Sequence, residues 1–257
     1  MTSSALTATL LLALCLCASP ARAEEPPAAT PYRPTVSNPA ELSAPGWLEV
    51  EAGHTRSKGG DAAWQDSTPW LLKLAFSEDF GILLGGDAAL GETDAAGVRT
   101  RGHGDTTLTF KHHWGAGEDA AFGLEWGAKF ATASNGLGTG KQDYVMNGIY
   151  SRDIGDVRID ANLGATRLGL ETAGMARWQY AGAVAASRPL GERWSAALEL
   201  SSSYRRGDAT SSQWLAALGY AMTKRLVFDF GVDGRLTEAA PNWSAFLGVT
   251  YLTARLW

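Results

Sequence analysis

Three groups of residues have types and spacings that could do chemistry. Gly136, Gly138 and Gly140 run into Lys141, and a glycine-rich turn ending in lysine can wrap a phosphate with its backbone N–H groups. The pattern stops there. Gln142 stands where a phosphate loop carries Ser or Thr, the glycine spacing is incomplete, and the run lies between strands instead of ahead of a helix. It is expected to be a loop. The histidines are His54, His103, His112 and His113. His112 and His113 are adjacent, so on a strand they point to opposite faces, and no nearby carboxylate pattern completes a metal site. Nor does spacing assemble a serine, a histidine and a polar orienter for nucleophilic catalysis. Both cysteines, Cys15 and Cys17, fall at the extreme N-terminus. No metal, cofactor or enzyme activity is expected.

What remains is charge set at alternate positions. From Ala120 to Phe130, one face carries Phe122, Leu124, Trp126, Ala128 and Phe130, and the other carries Ala121, Gly123, Glu125, Gly127 and Lys129. Such alternation is the signature of strands with one apolar face. The same parity puts Lys73, Lys111, Glu125, Lys129, Arg158, Asp160, Asn162, Glu199, Asp229 and Arg235 on the polar face, as the candidate lining of a solute path. Glu49, Glu51, Asp87, Arg205 and Asp233 share that face. Both signs are mixed, so no single-sign field is expected. The competing reading is that these groups pair with one another and fill a narrow interior.

About twelve segments follow this pattern: 47–54, 69–77, 80–90, 104–114, 119–131, 142–152, 156–168, 178–188, 193–205, 211–222, 225–236 and 242–257. Most have the length of about ten residues that a tilted strand needs to cross a bilayer. Connections alternate between long (55–68, 91–103, 132–141, 169–177) and tight (Glu78-Asp79, Thr223-Lys224). Long outer loops and short inner turns are the habit of outer-membrane barrels. Trp47, Trp70, Trp114, Trp178, Trp194, Trp214, Trp243 and Trp257 fall near segment ends, where indoles sit at lipid headgroups. The fold class is therefore all-β: a transmembrane antiparallel up-and-down β-barrel of about 12 strands over residues 46–257.

The rest of the chain fits that destination. Residues 1–23 read as an export signal, with an apolar run from Leu6 to Ala18 and small residues Ala21 and Ala23 at the cleavage positions. Residues 24–45 hold six prolines and read as an extended periplasmic tail at or inside the barrel mouth. No stretch of 18 or more apolar residues follows the N-terminus, which argues against membrane helices. Processing at Ala23 removes Arg22 and leaves 21 basic against 27 acidic residues, a charge of about −6 that disfavours nucleic acid.

From about Arg101 onward the chain resembles the outer-membrane proteins named for the meta-pathway of phenol degradation. The matching stretches are GDTTLTFKHHW (104–114), AFGLEWGAKF (121–130), GLGTGKQDY (136–144), RIDANLGATRLG (158–169) and PNWSAFLGVTY (241–251). After Phe130 the chain departs from the family pattern of a proline and acidic residues and carries Ala131-Thr132-Ala133-Ser134. The resemblance implies a monomeric outer-membrane transporter of small, hydrophobic or aromatic, organic solutes. Its partners would be outer-membrane lipid, the solute and, during biogenesis, the barrel-assembly machinery. Two other functions remain open: a closed structural or surface-binding barrel, and a lipid-modifying barrel enzyme.

Overall fold

The computed structural model describes residues 26–59 and 62–257; the expected export signal lies outside them. Thirteen strands follow in chain order: β1 Trp47–Gly59, β2 Ala62–Ala75, β3 Phe80–Thr93, β4 Arg99–Gly102, β5 Thr106–Gly115, β6 Ala120–Phe130 and β7 Asp143–Ile154. They continue as β8 Val157–Arg167, β9 Trp178–Pro189, β10 Trp194–Arg205, β11 Ser211–Thr223, β12 Leu226–Arg235 and β13 Trp243–Arg255. Every pairing is antiparallel, and β1 closes onto β13 through pairs such as Val50 with Tyr251 and Ala52 with Val249. Twelve strands form the wall. The thirteenth, β4, pairs only with the far end of β3.

Burial runs opposite to that of a water-soluble protein. Leu163 is 78% exposed and Leu198 65% exposed on the outside of the wall, whereas Lys73 and Lys111 are 0% exposed within it. An apolar exterior around a polar interior is stable only where the surroundings are hydrocarbon. Aromatic side chains crowd the outside, with Phe110 stacked on Trp126 at 5.9 Å and Trp194 against Tyr220 at 4.8 Å.

Connections at the end where β1 starts and β13 finishes are short. Gly155 and Asp156 alone join β7 to β8, closing the pair Ile154 with Val157. A two-residue hairpin demands positive φ, and Gly155 supplies it at 62°. At the opposite end, residues 131–142 and 168–177 form long loops. Two of the expected loops are corrected. Most of 55–68 is ladder, since β1 runs on to Gly59 and β2 begins at Ala62, and 91–103 contains the end of β3 and all of β4. The alternation fades there because His54, Arg56 and Lys58 replace apolar residues on the outer face while the backbone pairing continues.

Segments 142–152 and 178–188 alternate poorly yet form β7 and β9 for a related reason. Ile149 points inward and is buried against Ala40 and Ala121. On β9 the inward row includes the small residues Ala183 and Ala185. Apolar groups therefore lie on both faces of these strands.

Candidate functional site

Residues 26–45 run through the lumen as an extended segment and not as a sheet strand. Of the backbone N–H groups from Thr30 to Ala40, all but that of Thr35 donate to side chains of the wall. Thr30 donates to Glu49 (3.0 Å), Tyr32 and Arg33 to Glu51 (2.7 and 3.2 Å), and Val36 and Ser37 to Glu199 (3.0 and 2.7 Å). Asn38 donates to Asn162 Oδ1 (2.9 Å) and Ala40 to Ser151 Oγ (2.8 Å). Pro31, Pro34 and Pro39 occupy positions where no donor is required. Buried N–H groups must find acceptors, so this segment suits a lumen lined with carboxylates and amides.

Tyr32 is the centre of the assembly. Two ammonium groups lie over its ring, Lys73 Nζ at 3.9 Å and Lys111 Nζ at 4.0 Å from the centroid, and its hydroxyl donates to Glu41 O at 2.8 Å. Lys73 is ion-paired with Glu49 and Glu51, each at 2.5 Å, and donates to Thr30 O at 2.6 Å. Lys111 pairs with Glu125 at 3.1 Å and donates to Pro39 O at 2.6 Å. Two cations over one desolvated ring are each worth more than at a surface.

The remaining expected lining residues sort by height. Arg33 of the tail donates twice to Asp229, both bonds at 3.2 Å. Asn38 donates to both oxygens of Glu125 (3.0 and 3.1 Å), and Asn162 returns a bond to Asn38 O (2.9 Å). Near the short-turn end Arg158 binds Asp160 (3.1 Å), Asp153 (3.3 Å) and Glu41 of the tail. Burial by itself would raise the Glu41 carboxyl; the Arg158 guanidinium outweighs it and holds the group below its ordinary value. Lys129 stands apart at the long-loop end, bridging Asp105 (2.7 Å) and Asp143 (3.0 Å). Arg235, at the end of β12, is exposed.

Eight of the ten residues thus belong to one network with the tail, and Lys129 and Arg235 do not. The parity that found them also found Glu49 and Glu51. It could not find Tyr32, Arg33, Ser37 and Asn38, which lie in no periodic segment. The available signal was chemical: a surplus of inward carboxylates, and a short stretch of donors spaced by prolines.

Along the tail the lumen keeps a cavity of about 180 Å³ beside Tyr32, Arg33 and Glu51, and the tail separates two larger ones. Toward the short-turn end lies a space of about 810 Å³ lined by charge, including Glu41, Asp153, Arg158 and Asp160. Toward the long loops lies one of about 350 Å³ whose described lining contains no charged residue; Asn147, Thr166, Ser201 and Gln213 alternate with Val145 and Ala183, and Val36 forms part of its wall. Val36, Ser37 and Asn38 stand between the two, pinned to Glu199 and Asn162.

The architecture recurs in solved structures. The COG4313 outer membrane channel from Pseudomonas putida F1 superposes with a TM-score of 0.67 at 14% identity, covering 83% of this chain and 98% of that one. The KdgM porin matches at 0.56 and 12% identity over 80% and 99% of the two chains. The CymD monoaromatic hydrocarbon channel matches at 0.50 and 8% identity over 83% and 90%. The chain is an outer-membrane β-barrel. No protein-family model matches its sequence, and no curated protein does.

Proposed function

We propose that this barrel is a monomeric channel, of the kind grouped under the meta-pathway of phenol degradation, that admits small, uncharged, hydrophobic or aromatic organic solutes. In this reading the long loops face outward and the short turns, with the tail, face the periplasm. A solute enters the vestibule of about 350 Å³ and stops at Val36. Passage then requires residues 36–38 to leave Glu199 and Asn162.

The observation that carries the reading is the absence of charge among the described residues of that vestibule. A channel for ions or acidic sugars would lose solvation energy there without recovering it from the wall. Serine, threonine, asparagine and glutamine groups offer hydrogen bonds to a hydroxyl or carbonyl, while valine and alanine leave room for an apolar body. Beyond the tail the cavity lining is charged, where Arg158 and its carboxylates lie. The likeness to a monoaromatic hydrocarbon channel agrees with this substrate class at the level of fold.

The test is uptake into liposomes carrying the full-length protein, comparing a neutral aromatic alcohol with the carboxylate of the same size. Faster entry of the alcohol is expected. Equal rates, or faster entry of the carboxylate, would contradict the reading.

A further inference from the structure

The outer wall carries a second organised site, at the long-loop end of β1 to β4. His54, Arg56 and Lys58 alternate outward on β1, and each is exposed. Cross-strand partners share a face, so the register defines two outward rows. Arg56 lies opposite Asp66, Asp66 opposite Gly91, and Gly91 opposite Arg101. One step further along, Trp243 lies opposite Lys58, Lys58 opposite Trp64, Trp64 opposite Thr93, and Thr93 opposite Arg99.

The side chains close over this frame. A Cβ on Gly91 would meet Arg99 Nη2 at 3.6 Å and Arg101 Cγ at 3.8 Å, so both arginines lean across the small residue. The Arg56 guanidinium sits 4.6 Å and Lys58 Nζ 5.2 Å from the Trp64 ring centroid. Trp64 in turn makes an edge contact with Trp243 at 5.8 Å. Asp66 receives Arg99 at 3.0 Å, Arg56 at 3.8 Å and His54 at 3.9 Å. Among the described residues Lys58 and Arg101 have no ion-pair partner. Asp61 lies outside the described residues.

Four permanent cations therefore gather on one face with a single carboxylate that pairs with two of them, beside two indoles, on a wall whose next outward residues along β1 and β2 are Ala52, Val50, Trp70 and Leu72. Indoles mark the boundary between headgroup and hydrocarbon. Arginine forks match phosphate oxygens two at a time, and each basic residue beside an anionic headgroup contributes attraction of its own. The outer leaflet of this membrane is built of a glycolipid with phosphates just above its acyl chains. We propose that the patch docks the phosphorylated sugar headgroup of one lipopolysaccharide molecule, with Arg56, Lys58, Arg99 and Arg101 on the phosphates and Trp64 and Trp243 beside the first acyl segment. The inference rests on the outward orientation of the long loops but not on solute transport.

The experiment titrates the folded full-length protein in detergent with lipopolysaccharide bearing intact lipid A phosphates and with the same material dephosphorylated, reading bound lipid by native mass spectrometry. The comparison protein carries Arg56→Gln, Lys58→Gln, Arg99→Gln and Arg101→Gln together; unboiled gel mobility verifies its fold, and the single Arg101→Glu change on β4 serves if it does not fold. About a hundredfold weaker binding of the intact lipid by the quadruple variant is expected, with a smaller loss for Arg101→Glu. Dephosphorylated lipid should bind the unaltered protein as weakly as intact lipid binds the variant. Equal affinity for the two lipids, equal binding by the variants, or complete displacement by an equal concentration of inorganic phosphate would overturn the proposal. In that comparison, flux through neutral-solute liposomes stays unchanged by all four substitutions.

Discussion

Around Tyr32 the lumen is packed with charge and keeps a cavity of about 180 Å³, whereas the vestibule around Ser201, of about 350 Å³, has no charged residue among its described lining. In the first region Glu49, Glu51, Lys73 and Lys111 are almost fully buried and bound both to one another and to the tail. In the second, small and neutral side chains face an unfilled vestibule. The difference teaches that the charged lining acts first on the chain itself. Its carboxylates accept backbone N–H groups that have no other partner, and so they hold the barrier. The wall above contributes shape and neutral hydrogen-bonding groups. A substitution near Tyr32 should therefore register in stability and leak, and one near Ser201 in the rate and selectivity of passage.

The largest effect should come from Lys73→Met. It strips Glu49 and Glu51 of their buried cation, and breaking such a pair costs about 3–5 kcal/mol. Ser201→Ala in the vestibule should stay within about 0.5 kcal/mol. Denaturant midpoints of the folded band in lipid would compare the two, and similar costs would erase the distinction between regions.

Next in size is Glu199→Ala. It leaves Val36 N, Ser37 N and Ser37 Oγ without the one carboxylate they share, and because water from the adjoining vestibule can take its place the loss is worth about 1.5–3 kcal/mol in all. Hydrogen exchange should accelerate at Val36 and Ser37 while β6 and β10 stay protected. Uniform acceleration would mean that Glu199 holds the wall and not the tail.

Ala183→Phe sharpens the other side. Its ring would enter the vestibule, lowering neutral-solute flux about tenfold with little change in stability. Unchanged flux would remove the vestibule from the solute's route.

The smallest effect concerns acid. Asp105 accepts bonds from Lys129 (2.7 Å), Ala133 N (2.9 Å) and Thr132 N (3.0 Å). Burial pushes its carboxyl up, but these partners outweigh it and hold the group below its ordinary value of 3.8. A depressed carboxyl contributes stability above its unfolded value and loses it as pH falls through the folded one. Loop 131–142 should therefore loosen only below about pH 3.8, measured as protease cleavage within it. Cleavage that begins near neutral pH would contradict this.

The wall was legible in the sequence wherever lipid lies on one side and a polar lumen on the other. Phe122 to Phe130 alternates cleanly because Glu125 and Lys129 face inward between apolar neighbours. Legibility failed where that contrast fails. Beyond Ala52 the outer face of β1 turns basic, so alternation of hydrophobicity vanishes although pairing persists to Gly59. On β7, Ile149 breaks the pattern because it packs on Ala40 of the tail. The tail read as unpacked chain because its partners are remote: Ser37 meets Glu199, and Asn38 meets Asn162. No local period encodes such contacts. Most of the candidate lining was found by parity, but its engagement with Tyr32 and the prolines around it was not.

The most direct test of the account is single-channel conductance of the protein with residues 26–45 removed, beside the full-length chain, both verified as folded by unboiled gel mobility. The account predicts that removal joins the two larger cavities and raises conductance several-fold. Identical conductance from the two proteins would contradict it, since the tail would then not stand in the path.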